Sequence, residues 1–189
     1  VLEHIERQVL PDLLSEMDSD DAADILGELT HNEAQEILRQ MDADDAAPIQ
    51  ALLKYDEDSA GGLMQTELVW VHLDGTADSA LQEIRQQITE HEGTIDIHEV
   101  FVVDQEHRLQ GQLSLEALIT AKPHVPLRNV LETDIHWALP EMDQEEVATL
   151  FERYNLISLP VVDNNRTLLG RITIDDIVDV IKEEASEDI

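Results

Sequence analysis

The sequence has 189 residues, of which 42% are hydrophobic but only 3% are aromatic. Its 43 acidic and 11 basic residues give a net charge of −32, which opposes binding to nucleic acid or anionic lipid because phosphate neutralisation requires clustered Lys and Arg. The absence of Cys excludes disulfides, thiolate metal sites and Cys nucleophiles, and no apolar run reaches the roughly 18 residues of a membrane helix.

The N-terminal part of the chain has the apolar spacing of helices, and one segment of it is repeated. MDSDDAADIL (Met17–Leu26) returns as MDADDAAPIQ (Met41–Gln50), and each copy begins with an Asp at a predicted helix N-cap. Between the copies, Thr30 and Glu33 match a capping box. The pattern predicts an all-α superhelical repeat domain of short helices over residues 1–60.

Two interpretations compete for the acids of this domain. Anions near helix N-termini stabilise a helix by about 0.3–1 kcal/mol, and capping is the simpler interpretation for most of these acids. Asp21 and Asp24 are better candidates for metal ligands, because they lie one turn apart on one helix face. The segment YDEDSAGGLM (Tyr55–Met64) then interrupts the helical pattern, and we place the domain boundary at Gly61-Gly62.

The rest of the chain contains a tandem repeat with an offset of 59 residues. FVVDQEHRLQGQLSLEALI (Phe101–Ile119) aligns with PVVDNNRTLLGRITIDDIV (Pro160–Val178). Each copy predicts an apolar strand ending in Val-Val-Asp, a polar turn, an alternating strand, and a Ser or Thr at a helix N-cap. The repeat therefore indicates two α/β units of the same design.

Upstream of each copy the sequence predicts a short strand followed by an amphipathic helix. In the first unit these are a strand near Leu68–His72 and a helix over Thr76–Thr89. In the second unit they are a strand near Ile135–Leu139 and a helix over Asp143–Tyr154. Each unit is thus expected to have the order β-α-β-β-α.

The last predicted helix, from Thr173 to Ile189, has one apolar and one acidic face. Seven acids between residues 175 and 188 face a single base, Lys182. Like charges one turn apart cost an isolated helix about 0.2–0.5 kcal/mol per pair. The crowding suggests a cationic partner, although a solvated face that only keeps the protein soluble is the simpler alternative.

The tandem unit resembles a CBS-domain pair. Together with the acidic helical domain and the YDEDSAGGLM linker, the chain resembles the cytosolic region of the MgtE family of magnesium transporters. The most specific similarity lies in the linker, in DQEEV (Asp143–Val147), in LPVVD (Leu159–Asp163) and in the last helix. We therefore expect a soluble piece of a longer protein.

The resemblance implies an α+β fold with an N-terminal all-α superhelical repeat domain followed by the tandem CBS pair. The expected domains are the helical domain over 1–60, CBS units over 61–124 and 125–180, and the start of a connecting plug helix over 181–189.

In this family, the helical domain and the CBS pair enclose Mg²⁺ ions that hold a compact state at high intracellular Mg²⁺. The resemblance therefore implies a magnesium-sensing regulatory region whose compact state closes the pore of its own transmembrane domain, which is absent from this chain. It also implies a homodimer through the CBS domains and a position on the cytoplasmic side of the bacterial inner membrane. An enzyme is not expected, since the sequence has no phosphate loop or H-E-x-x-H motif.

Carried over position by position, the implied Mg²⁺ ligands come from the helical domain, the linker, the DQEEV segment and the last helix. They are Asp21, Asp24, Asp58, Asp143, Glu145, Asn155, Asp176, Asp179, Glu184, Glu187 and Asp188. Asn155 stands where the family pattern has an acid, so an amide oxygen would replace a carboxylate there. Oxygen ligands spread over separate surfaces suit Mg²⁺, which favours octahedral oxygen coordination and keeps several waters.

A regulatory module that binds adenine nucleotides such as ATP is the alternative. CBS pairs often use the Asp of an [S/T]-x-x-D segment to bind ribose, and Thr173–Asp176 fits this pattern whereas Ser114–Ala117 does not. Thr173 and Asp176 are therefore the candidate nucleotide ligands, although few basic residues are available for the phosphates.

Overall fold

The computed structural model of the protein describes residues 9–90, 97 and 99–187, and it describes the side chains of the last helix up to Lys182 except that of Asp179. Within these residues the chain forms eight α-helices and five β-strands. None of the described helices combines the length and the apolar character needed to cross a bilayer. The predicted mixture of an all-α part and an α/β part is confirmed.

Short helices build the N-terminal part of the described chain. They are α1 (Leu10–Ser15), α2 (Ser19–Gly27), α3 (His31–Leu38) and α4 (Ala43–Leu52). The two sequence repeats form α2 and α4, which pack against each other. Leu26 and Ile49 are buried there because the apolar residues recur at helical spacing. The predicted succession of short helices is confirmed.

The N-cap positions of these helices are as predicted, but the expected local caps are only partly present. The backbone is extended at Asp18 and Asp42, as at an N-cap, yet neither carboxylate accepts a capping hydrogen bond from its own helix. Glu33 does cap α3, because its Oε2 accepts hydrogen bonds from the Thr30 hydroxyl at 2.7 Å and the Thr30 backbone N–H at 3.3 Å.

The first CBS unit has the predicted element order. Its elements are β1 (Trp70–His72), α5 (Ala77–Glu90), β2 (Glu99–Val103), β3 (Leu109–Ser114) and α6 (Leu115–Thr120). Strand β2 lies in the middle of the sheet, parallel to β1 and antiparallel to β3. Ser114 caps α6 by accepting a hydrogen bond from the backbone N–H of Ala117, as predicted.

The second CBS unit lacks the first strand of this plan. Its described elements are α7 (Gln144–Tyr154), β4 (Ser158–Val162), β5 (Leu168–Thr173) and α8 (Ile174–Glu187). The strand predicted near Ile135–Leu139 is reduced to a single bridge between Ala138 and Val161, so that prediction is wrong. Pro140 directly follows this segment, and a proline has no backbone N–H to donate to a ladder.

The 59-residue repeat is visible in the backbone. Each β-hairpin shifts register at its Val-Val step, between Val102 and Val103 or between Val161 and Val162. The two hairpin turns also join each other, because the backbone N–H groups of Leu109 and Leu168 donate across to the opposite turn at 2.8 and 3.1 Å. The two units are therefore related by an approximate two-fold arrangement.

The linker belongs to the second CBS unit through its backbone. The N–H of Ala60 donates to the carbonyl of Met142 at 2.7 Å, and Gln65 exchanges two backbone hydrogen bonds with Arg171 at 2.9 and 3.0 Å. Gln65 thus bridges to β5, while residues 58–61 bond to residues 140–144 at the start of α7, before the chain enters the first unit. The helical part is consequently placed against the second unit, although the first follows it in sequence.

Gly61 and Gly62 reflect close packing. A Cβ atom at Gly61 would lie 2.5 Å from Cγ of Tyr55, and one at Gly62 would lie 2.4 Å from the carbonyl oxygen of Asp56. Only glycine permits both approaches. The domain boundary that we place at these glycines stays a prediction, since Ala60 and Met64 share one buried apolar cluster with the helical part and the second unit.

Candidate functional site: an acidic cleft between the helical domain and the second CBS unit

A cleft of about 400 Å³ opens where the helical domain, the linker and the second CBS unit meet. Its lining residues come from α2, residues 57–63, α7 and α8. They are Asp20, Asp21, Asp24, Glu28, Glu57, Asp58, Gly62, Leu63, Gln144, Asp176 and Val180. Seven of these eleven described residues are acids, and none of the eleven is Lys, Arg or His. Four of the predicted ligands therefore meet here: Asp21, Asp24, Asp58 and Asp176.

The walls of the cleft are held in place by core packing and by backbone hydrogen bonds. Helix α2 buries Ala22 and Leu26 in the core, which turns Asp21 and Asp24 outward to the cleft. The linker wall is fixed because the carbonyl of Asp58 accepts a hydrogen bond from the N–H of Gln144 at 3.0 Å. The third wall is the first turn of α8, which carries Asp176.

Asp20 is the residue that sequence reasoning missed. Only 6% of it is exposed, and its Oδ1 has no hydrogen-bond partner among the described residues. Burial, and then the negative charge of Asp176, raises the pKa of Asp20 to about 8. A signal was available in the sequence: Asp20 precedes the buried Ala23 by three residues and so shares its helix face.

The carboxyls of Asp176 and Asp18 also have raised pKa values. Burial raises the pKa of Asp176, although hydrogen bonds from Thr173 act in the opposite direction. Burial raises the pKa of Asp18, with further increases from the nearby charges of Glu67 and Asp21 and an opposing effect of Arg171. In both carboxyls burial disfavours the charged form, and a nearby positive charge would favour it.

The predicted ligands on α7 do not line the cleft. Asp143 caps the helix by accepting a hydrogen bond from the N–H of Glu145 at 2.9 Å, and both side chains are exposed beside the cleft-lining Gln144. Asn155 is the left-handed C-cap of α7. It lies at the opposite end of α7 from Asp143, about 18 Å away along the helix axis, and so cannot share an ion with it. Asn155 is well suited to this cap because it tolerates positive φ.

The remaining predicted ligands lie beyond what the structure describes. The side chains of Asp179, Glu184 and Glu187 fall on α8 outside the described side chains, and Asp188 lies outside the described residues. Their roles as ligands stay predictions.

The cleft fits Mg²⁺ as a hydrated ion better than as a chelated one. Among the side chains that the structure describes, no three His, Asp or Glu groups converge on one point as a ready-made chelate. The acids that line the cleft offer only oxygen, and Asp20 supplies a buried carboxylate oxygen that lacks a partner. Mg²⁺ is commonly held by one or two carboxylates and several waters, which matches this donor set.

The two candidate nucleotide ligands, Thr173 and Asp176, are hydrogen-bonded to each other. Asp176 Oδ2 accepts hydrogen bonds from the hydroxyl and the N–H of Thr173. Arg171, two residues before, is buried and donates to Oε1 of Gln65 from Nη2 at 2.9 Å. Arg166, another basic residue near this segment, makes a cation–π contact: its guanidinium carbon lies 5.6 Å from the centre of the Trp137 ring.

Comparison with known families agrees with this arrangement. Residues 1–58 match the model of the MgtE intracellular N domain, and residues 60–124 and 127–183 each match the CBS domain. The chain belongs to the MgtE family. The magnesium transporter MgtE of Thermus thermophilus is 40% identical over 141 residues, which are 75% of this chain and 31% of that protein. That of Bacillus subtilis is 34% identical over 93% of this chain and 38% of its own length.

Solved structures of the same family superpose closely on the fold. The soluble part of a magnesium transporter is 33% identical with a TM-score of 0.88, covering 97% of this chain and 71% of that one. The cytosolic domain of the Mg²⁺ channel MgtE in complex with ATP is 34% identical with a TM-score of 0.86, covering 95% and 72%. The expected family, fold class and cytosolic placement are confirmed. The curated relatives are magnesium transporters, and this chain spans about a third of their length.

Proposed function

We propose that this chain is the magnesium-sensing regulatory region of a magnesium transporter or channel. The observation that carries the proposal is the cleft in which acids from α2, the linker and α8 face one another, with Asp20 buried among them. Asp20, Asp21 and Asp24 on one wall, with Asp58 and Asp176 on the others, would hold Mg²⁺ through direct and water-mediated contacts. The bound ion would supply positive charge where the protein has only negative charge.

The response would follow from electrostatics and mass action. Without a cation, like charges on the helical domain and on the second CBS unit repel each other across the cleft. A cation bound only when the walls are together stabilises the closed state, by about 1.4 kcal/mol for one site at ten times its dissociation constant. Several such sites acting together would reach the roughly 5.5 kcal/mol that moves a two-state equilibrium from 1:99 to 99:1.

Helix α8 is the element that would carry this change onward. It contributes Asp176 and Val180 to the cleft and continues through residues 181–187, part of the segment that we predict to begin the connecting helix. Closure of the cleft would therefore fix the direction in which the chain leaves this region. We propose that this fixed direction favours the closed pore of the transmembrane domain.

A homodimer through the CBS units is part of the same proposal. Ile119 on α6 and Val178 on α8 occupy equivalent positions in the 59-residue repeat, and they are 70% and 41% exposed. Ile174 and Ile181 extend the exposed apolar face of α8. Exposed apolar faces at equivalent places on two units suit a symmetric interface with a second copy.

The proposal is tested by small-angle scattering of the 189-residue chain during a Mg²⁺ titration, alongside Asp20→Asn and Asp176→Asn. We expect the radius of gyration of the parent chain to decrease with Mg²⁺ and the midpoint to move to higher Mg²⁺ in both variants. Asp78→Asn is the matched control, because Asp78 is an exposed acid on α5 whose carboxylate bonds to Gln82 at 3.0 Å. A radius that does not depend on Mg²⁺ would refute magnesium sensing.

Adenine-nucleotide binding is a second candidate, supported by the relative whose cytosolic domain was solved with ATP. Isothermal titration with ATP in EDTA and in Mg²⁺, using the parent chain and Thr173→Val, distinguishes the two functions. Heat from ATP that Thr173→Val abolishes, together with no effect of Mg²⁺ on the scattering, would favour the nucleotide sensor. Thr173→Ser is the control, since it keeps the hydroxyl that bonds to Asp176.

A further inference from the structure

The N-terminus of α2 is bonded to a residue almost fifty positions away. The backbone N–H and the hydroxyl of Ser19 both donate to Oε2 of Glu67, at 3.2 and 2.8 Å. The N–H of Thr66 donates to Oγ of Ser19 at 2.9 Å. Ser19 is only 2% exposed, so these bonds lie away from bulk water.

This contact replaces the local cap that α2 lacks. Ser19 is the first residue of the helix, where backbone N–H groups have no partner within the helix, and Asp18 does not supply one. The Glu67 carboxylate does so from outside the helix. Charge-assisted hydrogen bonds are among the stronger ones, and the helix dipole favours an anion at this end.

The other end of the contact is fixed to the second CBS unit. Thr66 and Glu67 directly follow Gln65, which exchanges two backbone hydrogen bonds with Arg171 on β5. The buried guanidinium of Arg171 also donates to the Gln65 side chain at 2.9 and 3.2 Å. Strand β5 leads directly into α8, where Asp176 follows Arg171 by five residues. Hydrogen bonds that need no metal thus connect α2 to the element that carries Asp176.

We propose that Ser19 and Glu67 form a metal-independent tether, which makes Glu67 a positioning residue for the cleft. This inference rests on the proposed magnesium function for its role, but the tether itself does not. With the N-terminus of α2 held, release of the ion would rotate the helical domain about this point. The carboxylates of α2 would then remain near Asp176 and rebind Mg²⁺ without a search through open solution.

The first experiment measures the tether directly, without Mg²⁺. Since the chain has no Cys, spin labels can be placed by Glu16→Cys, at the exposed C-cap of α1, and Glu90→Cys, at the exposed end of α5 in the first unit. We expect one narrow distance distribution by pulsed electron resonance in EDTA, and a broad, longer one when Glu67→Ala is added. A distribution that Glu67→Ala leaves unchanged would overturn the tether, whatever the response to Mg²⁺.

The second experiment measures the positioning role in the Mg²⁺ titration. We expect Glu67→Ala to raise the midpoint of compaction about tenfold, and Glu67→Gln to raise it less because an amide oxygen still accepts from Ser19. Glu83→Ala is the matched control, since Glu83 also accepts a backbone N–H, that of His72 at 3.2 Å, away from α2. Equal midpoints for Glu67→Ala and the control would overturn the positioning role, whereas a parent chain that ignores Mg²⁺ would instead refute the proposed function.

Discussion

Asp176 accepts hydrogen bonds from both the hydroxyl and the backbone N–H of Thr173, at 2.5 and 3.2 Å, and it also faces Asp20 across the cleft. One carboxylate therefore caps α8 and lines the acidic site. A charge change at Asp176 acts directly on the first turn of the helix that leaves this region. This double role explains how an ion in the cleft could be linked to the connecting segment.

Asp176→Asn should separate the two roles. An Asn oxygen can still accept from Thr173, so the helix should persist, while the loss of charge removes a candidate ligand. We expect the Mg²⁺ midpoint to rise about tenfold with little change in far-ultraviolet circular dichroism. Asp176→Ala should raise the midpoint and also destabilise α8, by about 1 kcal/mol, through the lost cap. An Asn variant that binds Mg²⁺ like the parent would exclude Asp176 as a ligand.

In EDTA, the free energy of unfolding should fall as the pH rises from 5 to 8. Burial raises the pKa of Asp20 in the folded state to about 8, against an ordinary value of 3.8, so in this window the folded state keeps a proton that the unfolded state has released. The free energy of unfolding should therefore decrease by on the order of 2–4 kcal/mol over this window. Above the pKa of Asp20 in the folded state, the contribution of this group no longer changes with pH. Urea denaturation at several pH values measures it.

Asp20→Asn is the matched variant for this pH dependence, because it cannot ionise. We expect it to flatten the slope, while Asp78→Asn on the exposed face of α5 leaves the slope unchanged. If both variants keep the slope of the parent chain, the pH dependence arises from the general negative charge and not from Asp20.

Trypsin should cut after Lys54 in EDTA and much more slowly in Mg²⁺. Residues 58–65 are tied to the second CBS unit by backbone hydrogen bonds, whereas none of the described backbone bonds ties residues 53–57 to that unit. Lys54 is also the only Lys or Arg between residues 40 and 84. The joint should therefore open next to Lys54. Cleavage after the exposed Arg128 serves as the internal control, and a Mg²⁺ effect equal at both sites would contradict a local joint.

Acidic substitutions at the repeat-related apolar positions should weaken the dimer. We expect Ile119→Asp with Val178→Asp to raise the dissociation constant by more than tenfold, because an unpaired charge would be buried at the interface. Light scattering after gel filtration over a concentration series measures it. Leu13→Asp on α1 is the control, since Leu13 is also an exposed apolar residue but lies far from both CBS units in sequence. A parent chain that is monomeric at every concentration would exclude this surface as an interface.

Apolar periodicity and the internal repeat predict most of the helices and strands. The periodic apolar residues of the two MD-x-DDAA segments were enough for α2 and α4, and the 59-residue offset was enough for two hairpins with equivalent bulges. The predicted strand near Ile135–Leu139 is wrong, because alternation alone does not reveal that only Ala138 finds a partner on β4. Strand formation depends on a neighbour, which the segment itself does not contain.

The sequence by itself determined the short helices, the tandem unit, the excess of acids and the resemblance that names the family, because these depend on periodicity and composition. Only the tertiary structure decided which acids meet. It brought Asp21, Asp24, Asp58 and Asp176 to one cleft and left Asp143 beside it. It also buried Asp20, whose burial and unpartnered oxygen arise from packing between segments more than 150 residues apart, which no local pattern records.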